Sequence, residues 1–297
     1  MTPPVSIVIP VFNRAAVVGR AVESVLRQSF ADFELILVDD GSTDGSVDTV
    51  LAFNDPRIRL IRHECNQGAA AARNTGIAAS SGRLIAFLDS DDVWHPAKLE
   101  RQIPATSALP APAATCTGFR LLHPSGRSEV RSSAGTVDWQ AAFLDGCYVS
   151  PGTTLIAHRQ AFEAAGVLDT SLKRLEDWDW LLRLVRVGSF AVVPEALADV
   201  HLGGRPNADT VREAASLLWL KHGDEIRRSL GAAAARRFSA SLAMEEAVCH
   251  LHHGAYLAGT ASGLHAALRS PPRVIRFASG FLARRLARRA TAGAALP

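Results

Sequence analysis

Short apolar runs alternate with helically spaced apolar residues along the first hundred positions of the chain. The runs are rich in Val, Ile and Leu, as in strands that are buried on both faces. Between the first two runs, Asn13 stands where it could cap a helix. The pattern predicts strands at residues 5–11, 35–38, 58–61 and 84–88, and helices at residues 17–26 and 68–79.

This alternation of strand and helix predicts an α/β fold, with a Rossmann-like, mostly parallel sheet flanked by helices. In such sheets, ligands bind outside the carboxyl ends of the strands. Polar clusters follow three of the predicted strands, at residues 10–14, 39–44 and 89–92. We therefore expect these three clusters to meet at one edge of the sheet.

The remaining chain divides at about residue 203. Before it, Pro, Ala and Ser predict a loop at residues 104–114, and strands are expected at 115–122 and 126–131. Glu176 and Asp177 open a helix that Gly188 ends. After it, alanine- and arginine-rich helices predominate, which predicts a helical C-terminal extension over residues 204–297.

Three carboxylates follow the fourth apolar run within four positions: Asp89, Asp91 and Asp92. Like charges this close repel one another, and a divalent cation would relieve the repulsion. An all-carboxylate site favours a hard ion such as Mg²⁺ or Mn²⁺ over zinc. The alternative is that these are solvated loop acids that precede a helix beginning near Pro96.

Composition narrows the class of protein. A net charge of +3 is too small to argue for nucleic acid, and four scattered cysteines predict reduced thiols rather than a disulfide framework or a zinc site. The N-terminus lacks the pattern of a signal peptide, and no apolar run approaches the roughly 18 residues of a membrane span. We expect a cytoplasmic protein.

Five motifs, in this order and with this spacing, resemble the family 2 glycosyltransferases of the GT-A fold. Each motif is common, but the set is specific, and it covers residues 5–201. The motifs are VIPVFNR at 8–14, VDDGSTD at 38–44, NQG with ARN at 66–74, FLDSDD at 87–92 and EDWD at 176–179.

The resemblance implies an inverting, metal-dependent glycosyltransferase. Its donor would be a nucleotide diphosphate sugar, with uridine as the expected nucleoside. Its acceptor would be a hydroxyl on a glycan or a lipid-linked saccharide, as in the synthesis of bacterial cell-envelope polysaccharides. The catalytic domain would span residues 1–203, with a nucleotide-sugar half over about 1–103 and an acceptor half over about 104–203.

The resemblance also implies roles for particular residues. The base would lie between Pro10 and Phe12, where Phe12 replaces the Tyr usual in the family. Asp40 would accept a hydrogen bond from the base, and Arg73 would contact the base or the diphosphate. Asp89 and Ser90 would contact the ribose. Asp91, with His201, would bind the metal, and Asp177, beside Glu176, would be the general base. His201 fits its motif only loosely, and an ordinary histidine is the alternative.

Two other functions stay open at this stage. The segment Asp89-Ser90-Asp91-Asp92-Val93 also matches the nucleophile motif of haloacid dehalogenase-like phosphohydrolases, although that motif normally follows the first strand. A nucleotide-sugar-binding module without catalysis is the other alternative.

The basic segment 273–289 suggests weak peripheral contact with an anionic membrane.

Overall fold

The computed structural model describes residues 3–133, 135, 138–203, 207–271 and 275. The chain forms two compact units, one of Met1–Phe143 with Cys147–Gly204 and the other of Leu144–Gly146 with Arg205–Pro297. The division of the first unit into a nucleotide-sugar half and an acceptor half stays a prediction. The basic segment 273–289 lies almost wholly outside the described residues.

The described part of the first unit contains a sheet with helices packed along it. Its strands are β1 Val5–Val11, β2 Phe33–Asp39, β3 Ile58–Arg62, β4 Leu84–Phe87, β5 Val93–Trp94, β6 Ala113–Leu122, β7 Ser128–Arg131, β8 Ile156–His158 and β9 Ser189–His201. Its helices are α1 Val18–Leu26, α2 Ser46–Leu51, α3 Ala69–Ala79, α4 Lys98–Ser107, α5 Trp139–Ala142, α6 Pro151–Thr154, α7 Arg159–Ala165 and α8 Glu176–Val187.

The first four strands form the parallel part of the sheet, in the order β3-β2-β1-β4. β1 lies at its centre and is buried along its whole length. Val11 of β1 is in register with Asp39 of β2, so both strands end at the same level. The loops that follow them therefore emerge side by side, which confirms the predicted parallel arrangement of these strands.

The second part of the sheet brings distant segments to the same edge. β8 pairs antiparallel with β4 and β6, while β9 runs parallel to β6. The short strand β5 pairs with β9, which places Val93 opposite Asp199. This pairing sets the carboxyl end of β9 beside the acidic loop that follows β4.

Two local predictions are wrong. Asn13 does not cap α1, which begins five residues later; it has a left-handed backbone, with φ 51°, and belongs to a loop. Residues 104–114 are not one loop, because α4 continues through Pro104 to Ser107 and β6 begins at Ala113. Pro104 lies in the second turn of α4, where proline is unfavourable, but burial of Leu99 and Ile103 outweighs its lost donor.

The second unit is helical within the described residues. Asn207 caps α9, Ala208–His252, by accepting a hydrogen bond from the Asp209 amide. Gly231 interrupts α9 with a φ of 88°. A second helix, α10 Tyr256–Arg269, packs against α9 through Ala266. Among the residues described in either unit, no helix combines the length and apolar character that a membrane span requires.

A fully buried lysine on α4 yields a stability prediction. Lys98 Nζ lies 3.5 Å from the centroid of the Trp94 ring and has no hydrogen-bond partner among the described residues. Burial lowers the pKa of Lys98 well below its ordinary value. A neutral amine gains little from the ring, whereas its buried N–H groups stay unsatisfied. We expect Lys98→Met to raise the free energy of unfolding by about 1 kcal/mol or more.

Urea unfolding at several pH values measures this effect, with Lys98→Ala as the control. The alanine leaves a cavity, so it should cost about 2 kcal/mol relative to methionine. Because the unfolded lysine binds a proton that the folded one rejects, wild-type stability rises toward pH 10, by at most about 1.4 kcal/mol per pH unit. The advantage of methionine should shrink accordingly. A methionine variant less stable than wild type at pH 7 would contradict the prediction.

Candidate functional site

The loops after β1 and β2 are joined by hydrogen bonds. The Asn13 amide donates to Ser42 Oγ at 2.9 Å, and Asn13 Oδ1 accepts from the Thr43 amide at 2.9 Å. The left-handed conformation of Asn13, which asparagine tolerates better than most residues, turns the chain toward this neighbour. The motif residues of these two loops thus form one structural unit.

The same interlock places Arg14 next to the acidic cluster. Its backbone amide donates to Ser46 Oγ at 2.7 Å, and the next amide, of Ala15, donates to Asp44 Oδ2 at 3.0 Å. The Arg14 side chain then reaches the loop after β4, where Nε lies 3.7 Å from Asp91 Oδ2. The sequence places Arg14 in a motif but assigns it no role.

Asp40 is buried and its carboxylate organises the chain that leads into α3. Oδ1 accepts a hydrogen bond from the Gln67 amide at 3.0 Å and lies 2.7 Å from His63 Nδ1, while Oδ2 accepts from the Gly68 amide at 2.8 Å. These contacts fix the first turn of α3, the helix that carries Arg73. The predicted hydrogen bond between Asp40 and a nucleotide base stays a prediction.

Pro10 and Phe12 lie at the end of the central strand. Pro10 is buried within β1 in register with Val38, and Phe12 follows the strand with 40% of its surface exposed. An exposed phenyl ring at this edge offers an apolar face on which a planar base could stack. The residues adjoin the loop pair described above.

The three acids after β4 have different surroundings. Asp89 pairs with Arg73, whose Nη2 lies 2.5 Å from Asp89 Oδ1. Asp92 is almost fully buried and accepts hydrogen bonds from the Thr153 hydroxyl and, at 2.7 Å, from the His201 amide. Burial, followed by the negative charge of Asp89, raises the pKa of Asp92 to about 8. Asp92 therefore serves the internal structure of the loop.

Asp91 is one of two partly exposed acids in this loop, and unlike the other, Asp89, it is not paired with Arg73. Its side chain is 31% exposed, and beside it Ser90 is buried. The end of β9 approaches it, because a Cβ built on Gly203 would lie 4.0 Å from Asp91 Oδ2. A carboxylate oxygen here has room for a cation on its solvent side.

His201 lies in the same corner as a candidate second ligand. Its Nδ1 is buried, lies 3.7 Å from Asp92 Oδ1 and has no hydrogen-bond partner among the described residues. No group of three ligating side chains occurs within the described part of the chain. One carboxylate and one imidazole fit a Mg²⁺ or Mn²⁺ that completes its coordination with phosphate and water oxygens.

The first turn of α8 supplies the second acidic group. Leu175, with φ 64°, turns the chain into the helix, and Glu176 and Asp177 follow at its positive end. Glu176 Oε1 accepts from Arg73 Nη1 at 2.9 Å. Desolvation, followed by the negative charge of Glu176, raises the pKa of Asp177 to about 6, while Arg73 acts against this rise.

Asp177 opens onto a small pocket. Arg73 lines the same pocket, so the basic group that joins Asp89 to Glu176 also faces Asp177. Trp180, which stacks on Phe162, forms part of the apolar wall. The other lining residues are Phe87, Pro151, Gly152, Leu155 and Leu168.

The structure thus brings together most of the residues singled out in the sequence. Arg73 pairs with Asp89 and also with Glu176, which lies 103 positions further along the chain than Arg73. Gly152 also adjoins this pair: a Cβ at this position would lie 2.6 Å from Asp89 Oδ2 and 2.8 Å from Arg73 Nη2, a close packing that the sequence did not predict. Its neighbours in the sequence, Pro151 and Thr153, give no periodic or motif signal that could have revealed it.

Comparison of the sequence with known proteins gives a consistent result. The family model described as Glycosyl transferase family 2 matches residues 6–130. The chain is 48% identical over 99 residues to the Escherichia coli UDP-Glc:alpha-D-GlcNAc-diphosphoundecaprenol beta-1,3-glucosyltransferase WfgD, covering 33% of this chain and 39% of that protein. An uncharacterized glycosyltransferase of Haemophilus influenzae is 31% identical over 196 residues, with 62% of this chain and 63% of the relative covered.

The matches to the first curated relatives span only 16–39% of those proteins' lengths. Solved structures resemble the fold over most of the chain. Staphylococcus aureus TarS 1–349 in complex with UDP-GlcNAc has a TM-score of 0.62 at 15% identity, covering 91% of this chain and 92% of that one. The mannosyltransferase PcManGT of Pyrobaculum calidifontis, in complex with GDP-Man and Mn²⁺, has a TM-score of 0.60 at 16% identity, with 95% and 80% covered.

These structural likenesses confirm the predicted GT-A fold with a C-terminal helical region. The family match covers the ends of β1, β2 and β4 with the loops that follow them, and the loop after β3 with the start of α3, where the first four motifs lie. Residues 6–130 are therefore similar to glycosyl transferase family 2, in agreement with the motifs in this part of the sequence.

Proposed function

We propose that this chain is an inverting glycosyltransferase that moves a sugar from a nucleotide diphosphate donor, with UDP as the nucleotide, to an acceptor hydroxyl. The observation that carries the proposal is the ion pairing of Arg73 with both Asp89 and Glu176, which joins the acidic loop after β4 to the first turn of α8, next to the pocket that Arg73 and Asp177 line. The likeness to WfgD, named for a UDP-Glc donor and a diphosphoundecaprenol-linked acceptor, supports a lipid-linked saccharide or glycan acceptor in envelope polysaccharide synthesis.

The donor would bind across the interlocked loops. Phe12 would stack on the base beside Pro10, and Asp40 would act by shaping the loop around the base as well as by direct contact. Asp89 and Ser90 would lie along the ribose. The ion pairs of Arg73 suggest that it stays with Asp89 and Glu176 when the donor is bound.

Asp91 and His201 would hold Mg²⁺ or Mn²⁺ beside the diphosphate. The bound cation would neutralise the charge that develops on the departing nucleoside diphosphate. Arg14 already contributes a positive charge 3.7 Å from Asp91, and it would help to place the diphosphate. The exposed oxygen of Asp91 supports this assignment.

Asp177 would act as the general base. It would accept the proton of the acceptor hydroxyl while that oxygen bonds to the anomeric carbon and the bond from this carbon to the diphosphate oxygen breaks. One displacement inverts the anomeric centre and needs no protein nucleophile. Because the pKa of Asp177 is raised only to about 6, its carboxylate is mostly ionised at neutral pH and remains a competent base.

The phosphohydrolase alternative fits less well. Its nucleophile would be Asp89, but one oxygen of Asp89 already pairs with Arg73 at 2.5 Å. The motif also follows β4 rather than the first strand of the sheet. A binding module without catalysis would have no use for a carboxylate with the raised pKa of Asp177. Measured turnover distinguishes the transferase, the phosphohydrolase and the binding module.

We also propose that the second unit makes peripheral contact with an anionic membrane. Leu257, Leu264 and Leu268 recur on one face of α10, and each is at least two-thirds exposed. No acidic residue follows Glu246 in the sequence, whereas seven arginines do. An exposed apolar face next to such a basic segment is typical of interfacial helices.

The base assignment predicts a pH profile. At saturating substrates, transfer should rise about tenfold per pH unit up to pH 6 and then level, since only the ionised carboxylate accepts a proton. Asp177→Asn should lower kcat by about 10² to 10⁴ and leave donor affinity within about threefold of wild type. Steady-state kinetics and calorimetric titration with UDP measure both quantities. Full transfer by this variant would refute the assigned base.

The metal assignment predicts a different phenotype. Asp91→Asn should weaken UDP binding in Mn²⁺ by about tenfold or more, while binding in EDTA should change little, because the lost ligand acts through the ion. Calorimetry with and without Mn²⁺ measures this difference. Asp48→Asn, which removes an exposed acid from α2, is the control. Equal losses with and without metal would argue against Asp91 as a ligand.

The membrane proposal predicts selective binding to anionic vesicles. The full chain should co-sediment with phosphatidylcholine vesicles that contain about 20% phosphatidylglycerol. It should not co-sediment with vesicles of pure phosphatidylcholine. Glutamine at Leu257, Leu264 and Leu268 should reduce binding about tenfold. Leu220→Gln, on an equally exposed leucine of α9, should have no effect. Binding that survives both the triple substitution and deletion of residues 271–297 would refute this surface.

A further inference from the structure

Arg73 is the basic group through which the two acidic segments contact each other. Its side chain is only 6% exposed, and its two terminal nitrogens reach Asp89 and Glu176 at 2.5 and 2.9 Å. Only a guanidinium can span both carboxylates in this way, because its nitrogens are fixed in one plane. With both of these nitrogens engaged, Arg73 is poorly placed to act mainly as a donor-binding residue.

The surroundings hold the guanidinium where it is. Gly152 of α6 lies against it, and a Cβ there would come within 2.8 Å of Nη2. The ring of Phe87 lies on another side, with its centroid 5.8 Å from the Arg73 Cζ. Arg73 therefore contacts or adjoins residues of β4, α6 and α8, although it belongs to α3.

The charges around Asp177 make Arg73 decisive for its protonation. Glu176, its neighbour on α8, repels a second negative charge, while Arg73 from α3 and Arg174 from the preceding loop attract it. The buried thiol of Cys116 on β6 also faces this carboxylate, but burial raises the pKa of that thiol to about 12, so it stays neutral. Arg73 is the larger of the two favourable charges and lies in the same pocket.

We propose that Arg73 is a positioning residue: it fixes the segment of Asp177 against the acid cluster after β4, and it keeps Asp177 in the ionised form. This inference rests on the proposed function for its catalytic meaning. Its structural content, the coupling of Arg73 to Asp177, does not depend on that function. The two can therefore be tested separately.

The test that needs no activity is a carboxyl titration of the full chain. Aspartate is labelled with ¹³C at the side-chain carboxyl, and the Asp177 signal is identified by its loss in Asp177→Asn. In wild type, the signal should titrate near pH 6. In Arg73→Gln, the ionised fraction of Asp177 at pH 5 should fall about five- to tenfold, because a favourable charge is removed.

Arg20→Gln is the matched control, since it removes the same charge from an exposed position on α1. It should leave the Asp177 titration unchanged. Arg73→Lys should keep the titration close to wild type, because the charge remains, but should lower kcat about tenfold, because a single ammonium cannot hold both carboxylates. A folded Arg73→Gln protein with a wild-type titration of Asp177 overturns the proposal.

A second variant tests the positioning role if Arg73→Gln fails to fold. Gly152→Ala places a methyl group against Arg73 Nη2 and Asp89 Oδ2, and should lower kcat about tenfold with donor KM changed less than about threefold. Gly19→Ala, whose added Cβ would meet only ordinary contacts of 3.5 Å and longer, is its control. Unchanged kcat in Gly152→Ala overturns the positioning role.

The two failures are distinguishable. If wild type shows no transfer but its Asp177 titration responds to Arg73→Gln, the proposed function fails and the coupling stands. If wild type transfers sugar with a pH profile that follows Asp177 but the titration ignores Arg73, the coupling fails and the function stands.

Discussion

Five carboxylates converge at one edge of the sheet, and their mutual repulsion is the constraint on which the site depends. Asp89 and Glu176 share the guanidinium of Arg73, and Arg14 lies near Asp91. Asp92 is relieved in another way, because its pKa of about 8 favours the protonated form at neutral pH. Asp177 keeps a partly compensated charge. Arg14 and Arg73 thus lie against three of these acids, Arg174 adds a positive charge near Asp177, and a divalent ion would offset more of the repulsion.

The sheet makes this convergence possible. Parallel strands deliver the loops after β1, β2 and β4 to one edge, and the short pairing of β5 with β9 adds the end of a strand from much later in the chain. The first turn of α8 then faces the same region with its positive end, which suits a pair of carboxylates. Backbone pairing therefore sets the positions of the loops that carry the carboxylates, and the arginines offset the charges of these carboxylates.

The sequence predicted the parallel strands and the acidic loops well, because each depends on a local pattern: an apolar run, followed by polar residues. It also indicated α8 from its acids and its terminal glycine. The pairing of Arg73 with Glu176 was beyond local reasoning, since the partners lie 103 positions apart and each is common on helix surfaces. Gly152 and the structural role of Asp92 depend on contacts between segments, which no periodicity encodes. Pro104 misled the helix prediction because burial of the surrounding turn outweighed its local preference.

The interlock between the loops after β1 and β2 has a consequence for how this region can vary. Asn13 accepts a hydrogen bond from the backbone of the loop after β2, while Ser42 and Ser46 accept hydrogen bonds from the backbone of the loop after β1. The conformation of each loop therefore depends on the other. If one loop were exchanged for that of a relative, backbone amides in both loops would lose their hydrogen-bond acceptors. Arg14 would also move away from Asp91. The two loops should therefore vary together among related proteins, and an engineered exchange should replace both of them.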